Sequence, residues 1–156
     1  MIKLTRIDDR LVHGQVAFSW TPALGIDCLI VANDKIAKDE FTKMTFGLAK
    51  PAGTKLHIKS INDTIAFLKE EKNGKYNILI LVNTVKDASL LAAEIPDIQS
   101  INFGGIRTKE GAKLISKAVA LNQDDIKIVK ELLDKGIELE VRQVPTDQKQ
   151  LLANLI

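Results

Sequence analysis

Short apolar runs alternate with amphipathic stretches from end to end of this 156-residue chain, and no other pattern in it restricts the fold more. The run "NILILV", residues 77–82, is apolar on both faces, as a strand in the middle of a parallel sheet must be. "IKLTRI" near the N-terminus reads as a first strand with Ile2 and Leu4 on one face. "CLIVAN" reads as the second. "TKLHIKS" alternates Leu56 and Ile58 against Lys55, His57 and Lys59, which predicts a half-exposed strand with His57 facing solvent and inert. "SINF", "KAVAL" and "IELEVRQV" complete the set, the last with Ile137, Leu139 and Val141 alternating.

Helices fit between these runs. One is expected over roughly Gly14 to Ala23, interrupted near Pro22. "KDEFTKMTFGLAK" puts Phe41, Met44 and Leu48 on one helical face, and Pro51 closes it. Ser60 with Asp63 resembles a capping box for a helix through Lys69, and Thr84 with Asp87 opens another that Pro96 ends. Asn122 caps a helix that repeats Ile126, Val129, Leu132 and Leu133 and stops at Gly136. "DQKQLLANLI" predicts a short terminal helix. The fold class that follows is α/β: an open, mostly parallel twisted sheet of about six to seven strands with helices on both faces. Residues 1–156 form a single domain in this reading.

Ligands of such sheets bind beyond the carboxyl ends of the strands, at a topological switch point. That selects the loops after Ile7, Asn33, Asn83 and Phe103. The first is the richest: "RIDDRLVHGQV", Arg6 to Val16, sets two arginines and two aspartates just ahead of one of the chain's two histidines. A neutral imidazole is a good nucleophile. A phosphorylated imidazole is an anion whose support requires positive charge and N–H donors. Arg6 and Arg10 carry guanidinium forks suited to phosphate oxygens. Gly14 permits close backbone approach, and a helix starting there aims free N–H groups at the same place. Asp8 or Asp9 can hold an arginine or fix the imidazole tautomer. The ordinary alternative is a solvated histidine among paired surface charges, and a strand–loop–helix setting weighs against it.

The second place is "NFGGIR", Asn102 to Arg107, whose Gly104–Gly105 pair lets a ligand approach the backbone but also suits a plain turn. Other chemistries find little support. There is no G-x-G-x-x-G, no Walker lysine motif and no nucleophile elbow, which disfavours a dehydrogenase or a hydrolase. No Cys/His cluster has metal spacing, so no metal and no cofactor is expected. A net charge of +2 without long like-charge runs, and 4% aromatic residues, give no footprint for nucleic acid. Cys28 is a lone cysteine opening an apolar strand, read as a buried small hydrophobe in a reducing compartment. Trp20 is read as packing on the sheet. No apolar stretch has the length of a membrane span, and "MIKLTRIDDR" is not a secretory signal. A soluble intracellular protein is expected, with any membrane role through a partner.

"RIDDRLVHGQV" followed by a tryptophan, then "IVANDKIAKD", "NFGGIR" and a late "VRQVP", is similar to the IIB component of the mannose/fructose/sorbose family of the bacterial sugar phosphotransferase system. The resemblance runs over essentially the whole chain, with Val12 where isoleucine is frequent. It implies a phosphocarrier in which His13 takes a phosphoryl group on Nδ1 from a IIA phosphohistidine. The group then passes to a sugar held by the membrane components IIC and IID. The flanking arginines correspond to Arg6 and Arg10. Asp8, Gly14 and Gln15 match the same block, and Asn33–Asp34, Asn102, Gly104 and Gly105 match loops that border the pocket. The resemblance also implies a cytoplasmic protein held at the inner face of the membrane through IIC/IID. No IIA unit is recognised in the chain, so a separate donor is expected. Association into a homo-oligomer stays open, since "LLANLI" can pack on this chain or on another. The rival from a different class is a non-catalytic regulator that uses the same loop to bind an anion or a partner.

Overall fold

The computed structural model describes the backbone of all 156 residues and every side chain except that of Gln15. Its frame is a seven-stranded sheet in the order β3-β2-β4-β1-β5-β8-β9. The strands are β1 (Ile2–Asp8), β2 (Cys28–Ala32), β3 (Lys55–Lys59), β4 (Ile78–Val82), β5 (Ser100–Gly105), β8 (Glu138–Val141) and β9 (Gln150–Leu151). All pair in parallel except β9, which adds antiparallel to β8. β2 and β4 are fully buried, as their unbroken apolar runs require.

Helices α1 (Gly14–Leu24) and α2 (Glu40–Ala49) cover one face, with Val16, Trp20, Phe46 and Ala49 packed over Leu4, Leu29, Val31, Leu79 and Leu81. Helices α3 (Ile61–Lys69), α4 (Val85–Glu94) and α5 (Gln123–Asp134) cover the other, over Ile7, Ile30, Ile80, Phe103 and Val141. The expected caps are made: Ser60 accepts from the Asp63 N–H and Thr84 from that of Asp87. Asn122 and Asp125 form a reciprocal capping box. No described helix is long and apolar enough to cross a membrane.

Five expectations change. Helix α1 runs through Pro22 to Leu24 and closes on Gly25 in the left-handed region, φ 62°. Pro22 removes one N–H within the last turns, where the loss ends no long helix. The Phe41, Met44 and Leu48 face of α2 points to solvent, at 74%, 61% and 85% exposure. A short helix with two apolar faces can roll either way, and here Ile36, Phe46 and Ala49 anchor it together. His57 is half-buried on β3, its ring 4.9 Å from that of Phe67. "KAVAL" supplies β7 (Ala120–Leu121), which pairs antiparallel with β6 (Lys113–Leu114) in a hairpin off the main sheet. The C-terminal segment is β9 and a single 3-10 turn, Leu152–Asn154, rather than a helix. β8 had a free edge, and an extended segment satisfies its backbone groups where a helix cannot.

β1 sits between β4 and β5 at the centre of the sheet. The connection leaving β1 runs to β2 on one side, and the connection leaving β5 runs to β8 on the other. The loop after β1, which carries His13, therefore opens at a switch point.

Candidate active site at the head of helix α1

Alternation along β1 turns Leu4, Arg6 and Asp8 toward α1 and Ile7 toward the opposite core. Arg6 lies level with Asn102 on β5, and Asn102 level with Glu140 on β8. A row of three polar residues thus crosses three adjacent strands beneath α1. At the end of β1 the register slips: Ile7 pairs with Phe103 but Asp8 with Gly105. Gly104 is the extra residue of this irregularity, and it lies against the Arg6 guanidinium.

The chain then turns sharply. The Leu11 N–H donates to the Asp8 carbonyl (3.0 Å), and Leu11 takes φ 56°, a conformation rare for a side chain with a Cβ. Its side chain is buried at 2% exposure. A well-packed anchor of this kind holds a backbone strain on the order of 1–3 kcal/mol in place. His13 follows as the N-cap of α1, extended at φ −146° and ψ 163°, with no side-chain hydrogen bond closing the cap. The first-turn amides of α1 are thus left for other acceptors.

The histidine is oriented by Asp8. His13 Nε2 lies 3.0 Å from Asp8 Oδ2. A carboxylate accepts, so Nε2 carries a proton, and in the neutral ring Nδ1 then keeps its lone pair, with no partner among the described residues. Asp8 is buried at 2% and is held in turn. Its Oδ2 accepts from Arg6 Nη2 (3.1 Å) and Nε (3.4 Å), and its Oδ1 from the Arg10 backbone N–H (3.0 Å). Arg6 Nη1 donates to Asn102 Oδ1 (2.8 Å) and to the Arg142 carbonyl (3.0 Å). Burial pulls the Arg6 guanidinium below its ordinary value, and the Asp8 charge opposes that shift. The Trp20 ring lies under both Arg6 and Arg142, 5.6 and 5.9 Å from their Cζ atoms, and its Nε1 donates to the Gln143 carbonyl (3.0 Å).

The two arginines that the motif brackets together have different surroundings. Arg6 was expected to offer its fork to a phosphate. It is 2% exposed and spends its donors on Asp8, Asn102 and Arg142, because a residue on the inward face of the central strand cannot reach the surface. Arg10 is exposed, and its side chain makes no ion pair among the described residues. Asp8 both fixes the imidazole and holds an arginine. Asp9 instead accepts from Arg107, at its backbone N–H (2.8 Å) and at Nε (2.9 Å).

Gly14 is exposed, and a Cβ there would make only ordinary contact with Phe18 at 4.0 Å. The role expected of Gln15 rests in part on a side chain outside the described residues. Asn102, expected at the pocket border, lies behind it at 1% exposure. Gly105 accepts the Asp9 N–H (2.9 Å) and lines a groove of about 750 Å³ beside the loop, together with Arg10, Arg107, Thr108 and Gln143.

Asp34 does not border this pocket. It lines a separate groove of about 500 Å³ with Asn33, Asn83 and Asp125, to which the His13 loop contributes no wall. Its carboxylate is taken up by the Ile61 N–H (2.8 Å) at the start of α3. No described group of three His, Cys, Asp or Glu side chains is arranged to hold a metal.

Glu140 and Arg142 went unrecognised as parts of this assembly. Glu140 alternates with the apolar Leu139 and Val141 as a solvent-facing residue does, and Arg142 stands out only within "VRQVP" of the resemblance. Glu140 is 8% exposed and receives Asn102 Nδ2 on Oε1 (3.2 Å) and Arg142 Nη2 on Oε2 (3.1 Å).

Residues 2–156 match the family described as the sorbose subfamily IIB component of the phosphotransferase system. A probable phosphotransferase enzyme IIB component of Streptococcus pyogenes is 37% identical, with 100% of this chain and 99% of that protein aligned. The mannose-specific EIIAB component of Escherichia coli is 35% identical over the whole chain, which spans 48% of that protein. The crystal structure of the IIB domain of the sorbose permease of Klebsiella pneumoniae superposes with a TM-score of 0.93 at 29% identity, covering 99% of this chain and 94% of that one. The family match over residues 2–156, with a relative aligned end to end, makes the chain a member of the sorbose-subfamily IIB components of the sugar phosphotransferase system.

Proposed function

We propose that His13 is the phosphoryl carrier and that the transfer runs through Nδ1. The observation that carries this is the bond from Nε2–H to Asp8, which leaves the Nδ1 lone pair free at the head of α1. In the first transfer that lone pair forms a P–N bond while the donor's P–N bond breaks, and the donor nitrogen keeps the electron pair. In the second, a sugar hydroxyl oxygen attacks phosphorus and Nδ1 takes the pair back. The hydroxyl proton is lost to the acceptor's surroundings. Arg10 and the first-turn amides, those of Gly14 and Gln15 among them, offset the phosphoryl charge during its stay. Arg6 and Asp8 act behind the ring, keeping the proton on Nε2 in both states.

The donor in this reading is a IIA phosphohistidine, and the acceptor a sugar bound by the membrane IIC/IID components. The activity is then that of a protein-Nπ-phosphohistidine–sugar phosphotransferase subunit, working in the cytoplasm and docked at the inner membrane face through IIC/IID. The test is labelling with a cognate IIA charged from phosphoenolpyruvate. Acid-labile, alkali-stable label on His13 that is lost in His13→Gln supports the assignment. A folded protein that takes no label from an authentic donor overturns it in favour of a binding role.

A further inference from the structure

The polar row beneath α1 ends on a residue that touches neither His13 nor Asp8. We infer that Glu140 is a positioning residue for His13, acting through Asn102, Arg6 and Asp8; this rests on the phosphocarrier reading above.

The argument is one of donors and acceptors. Arg6 can only donate, so the Asn102 amide must present Oδ1 to it, and Oδ1 is 2.8 Å from Nη1. Glu140 can only accept, so the same amide must present Nδ2 to it, at 3.2 Å. Glu140, together with the Arg142 carbonyl that accepts from the same Nδ2 at 3.2 Å, holds the one amide orientation that gives Arg6 an acceptor. With Nη1 engaged by Asn102 and by the Arg142 carbonyl, Arg6 turns Nε and Nη2 to Asp8. Asp8 then meets the His13 Nε2–H.

Both carboxylate oxygens of Glu140 are in use, Oε1 for Asn102 and Oε2 for Arg142. A glutamine has one acceptor oxygen for these two donors, so one of them loses its bond to this side chain. The charges follow the same logic. Arg6 and Arg142 are balanced by Asp8 and Glu140 inside one cluster, and Glu140→Gln leaves a cation in excess beside Asp8.

The test reads the His13 tautomer from the ring nitrogens of ¹⁵N-labelled protein, together with the rate of phosphoryl uptake. Wild type is expected to show Nδ1 as the bare nitrogen. Glu140→Gln is expected to lose part of that tautomer and to take up phosphate roughly ten- to a hundredfold more slowly, as when an outer partner of a functional histidine is removed. Glu140→Asp keeps the charge but is one methylene too short for both partners, so it moves both readouts the same way by less. It also serves if Glu140→Gln does not fold. The pair Glu140→Gln with Arg142→Gln removes the orphaned donor and the excess charge together, and is expected to restore both readouts. A merely structural Glu140 would leave the tautomer of the folded variants as in wild type while Asp8→Asn changes it, and that result overturns the inference. If no variant, wild type included, takes up phosphate but the tautomer still follows Glu140, the positioning stands and the phosphocarrier reading fails.

Discussion

A Cβ on Gly104 would overlap the guanidinium of Arg6 at Cζ, Nη2 and Nε. The register slip at the end of β1 and the missing side chain at 104 together make the slot in which Arg6 lies. Gly104→Ala must therefore push Arg6 off Asp8. The expected cost is about 1–3 kcal/mol of stability from overpacking, with phosphoryl uptake reduced as well. Gly105→Ala is the control, since its Cβ would meet Asp8 at an ordinary 3.8 Å. Its effect on stability should stay within about 0.5 kcal/mol. Urea unfolding of the two variants side by side checks this, and equal midpoints would remove the slot from the account.

Arg6→Lys and Arg10→Lys should separate cleanly. Lysine at 6 keeps a charge but cannot reach Asp8, Asn102 and the Arg142 carbonyl at once. It is expected to destabilise by about 2 kcal/mol or more, since breaking a buried ion pair is costly. Lysine at 10 sits in solvent, so stability should move by no more than about 0.5 kcal/mol. The loss of its fork should instead slow phosphoryl transfer. Thermal midpoints and single-turnover labelling of both variants decide the matter. A stable Arg6→Lys, or an Arg10→Lys as fast as wild type, counts against the division of labour.

The sheet was legible in the sequence because its central strands are apolar on both faces, and few other structures bury such runs as "NILILV" and "CLIVA". The His13 loop was legible because charge, histidine and glycine crowd into one strand–helix junction. The polar row was not. Asn102 and Glu140 alternate with apolar residues just as solvent-facing residues do, and only pairing β1, β5 and β8 in register shows that they face one another under α1. The roll of α2 was hidden for a similar reason: Phe41, Met44 and Leu48 make a better apolar stripe than the face that packs. Arg6 and Arg10 look alike in the motif, but Arg6 lies on the α1-facing side of β1 whereas Arg10 falls in the turn beyond the strand's end.

Asp8→Asn replaces a pure acceptor by an amide that can donate to Nε2. One acceptor oxygen then remains for Arg6, the Arg10 N–H and the His13 Nε2–H, so the hold on Nε2–H weakens and the neutral ring gains the tautomer with its proton on Nδ1, where the lone pair is needed. Phosphoryl uptake should fall roughly 10²–10⁴-fold, the range in which misplaced catalytic protons cost rate. Ring-nitrogen spectra of the variant should show the exchanged tautomer. Uptake at the wild-type rate would mean that Asp8 does not set the reacting nitrogen.

Cys28 should be silent in the native protein. Its thiol is fully buried, and burial, aided by the nearby Asp27 charge, pushes its pKa up to about 11. Thiolate is the reacting species, so both access and ionisation are denied. A thiol reagent should modify less than stoichiometrically at neutral pH and react in full on unfolding. Rapid native labelling would show that β2 opens far more readily than its burial suggests.

His57 should contribute a pH dependence to stability. Its ring is half-buried against Phe67, and partial burial, with Lys59 and Lys55 nearby, lowers its pKa from the ordinary value. The folded state therefore resists the proton that the unfolded chain accepts near the ordinary imidazole value of 6.5. Stability from this residue is complete above that value and is lost as pH falls through it, because protonation then favours the unfolded chain. Between pH 7.5 and 5, wild type should lose a component of stability that His57→Gln keeps. His57 lies on the edge strand β3, with β2 and β4 between it and β1, so phosphoryl uptake by the variant should match wild type at every pH. Parallel stability curves for the two proteins across this range would show that the Phe67 contact leaves the imidazole free to protonate.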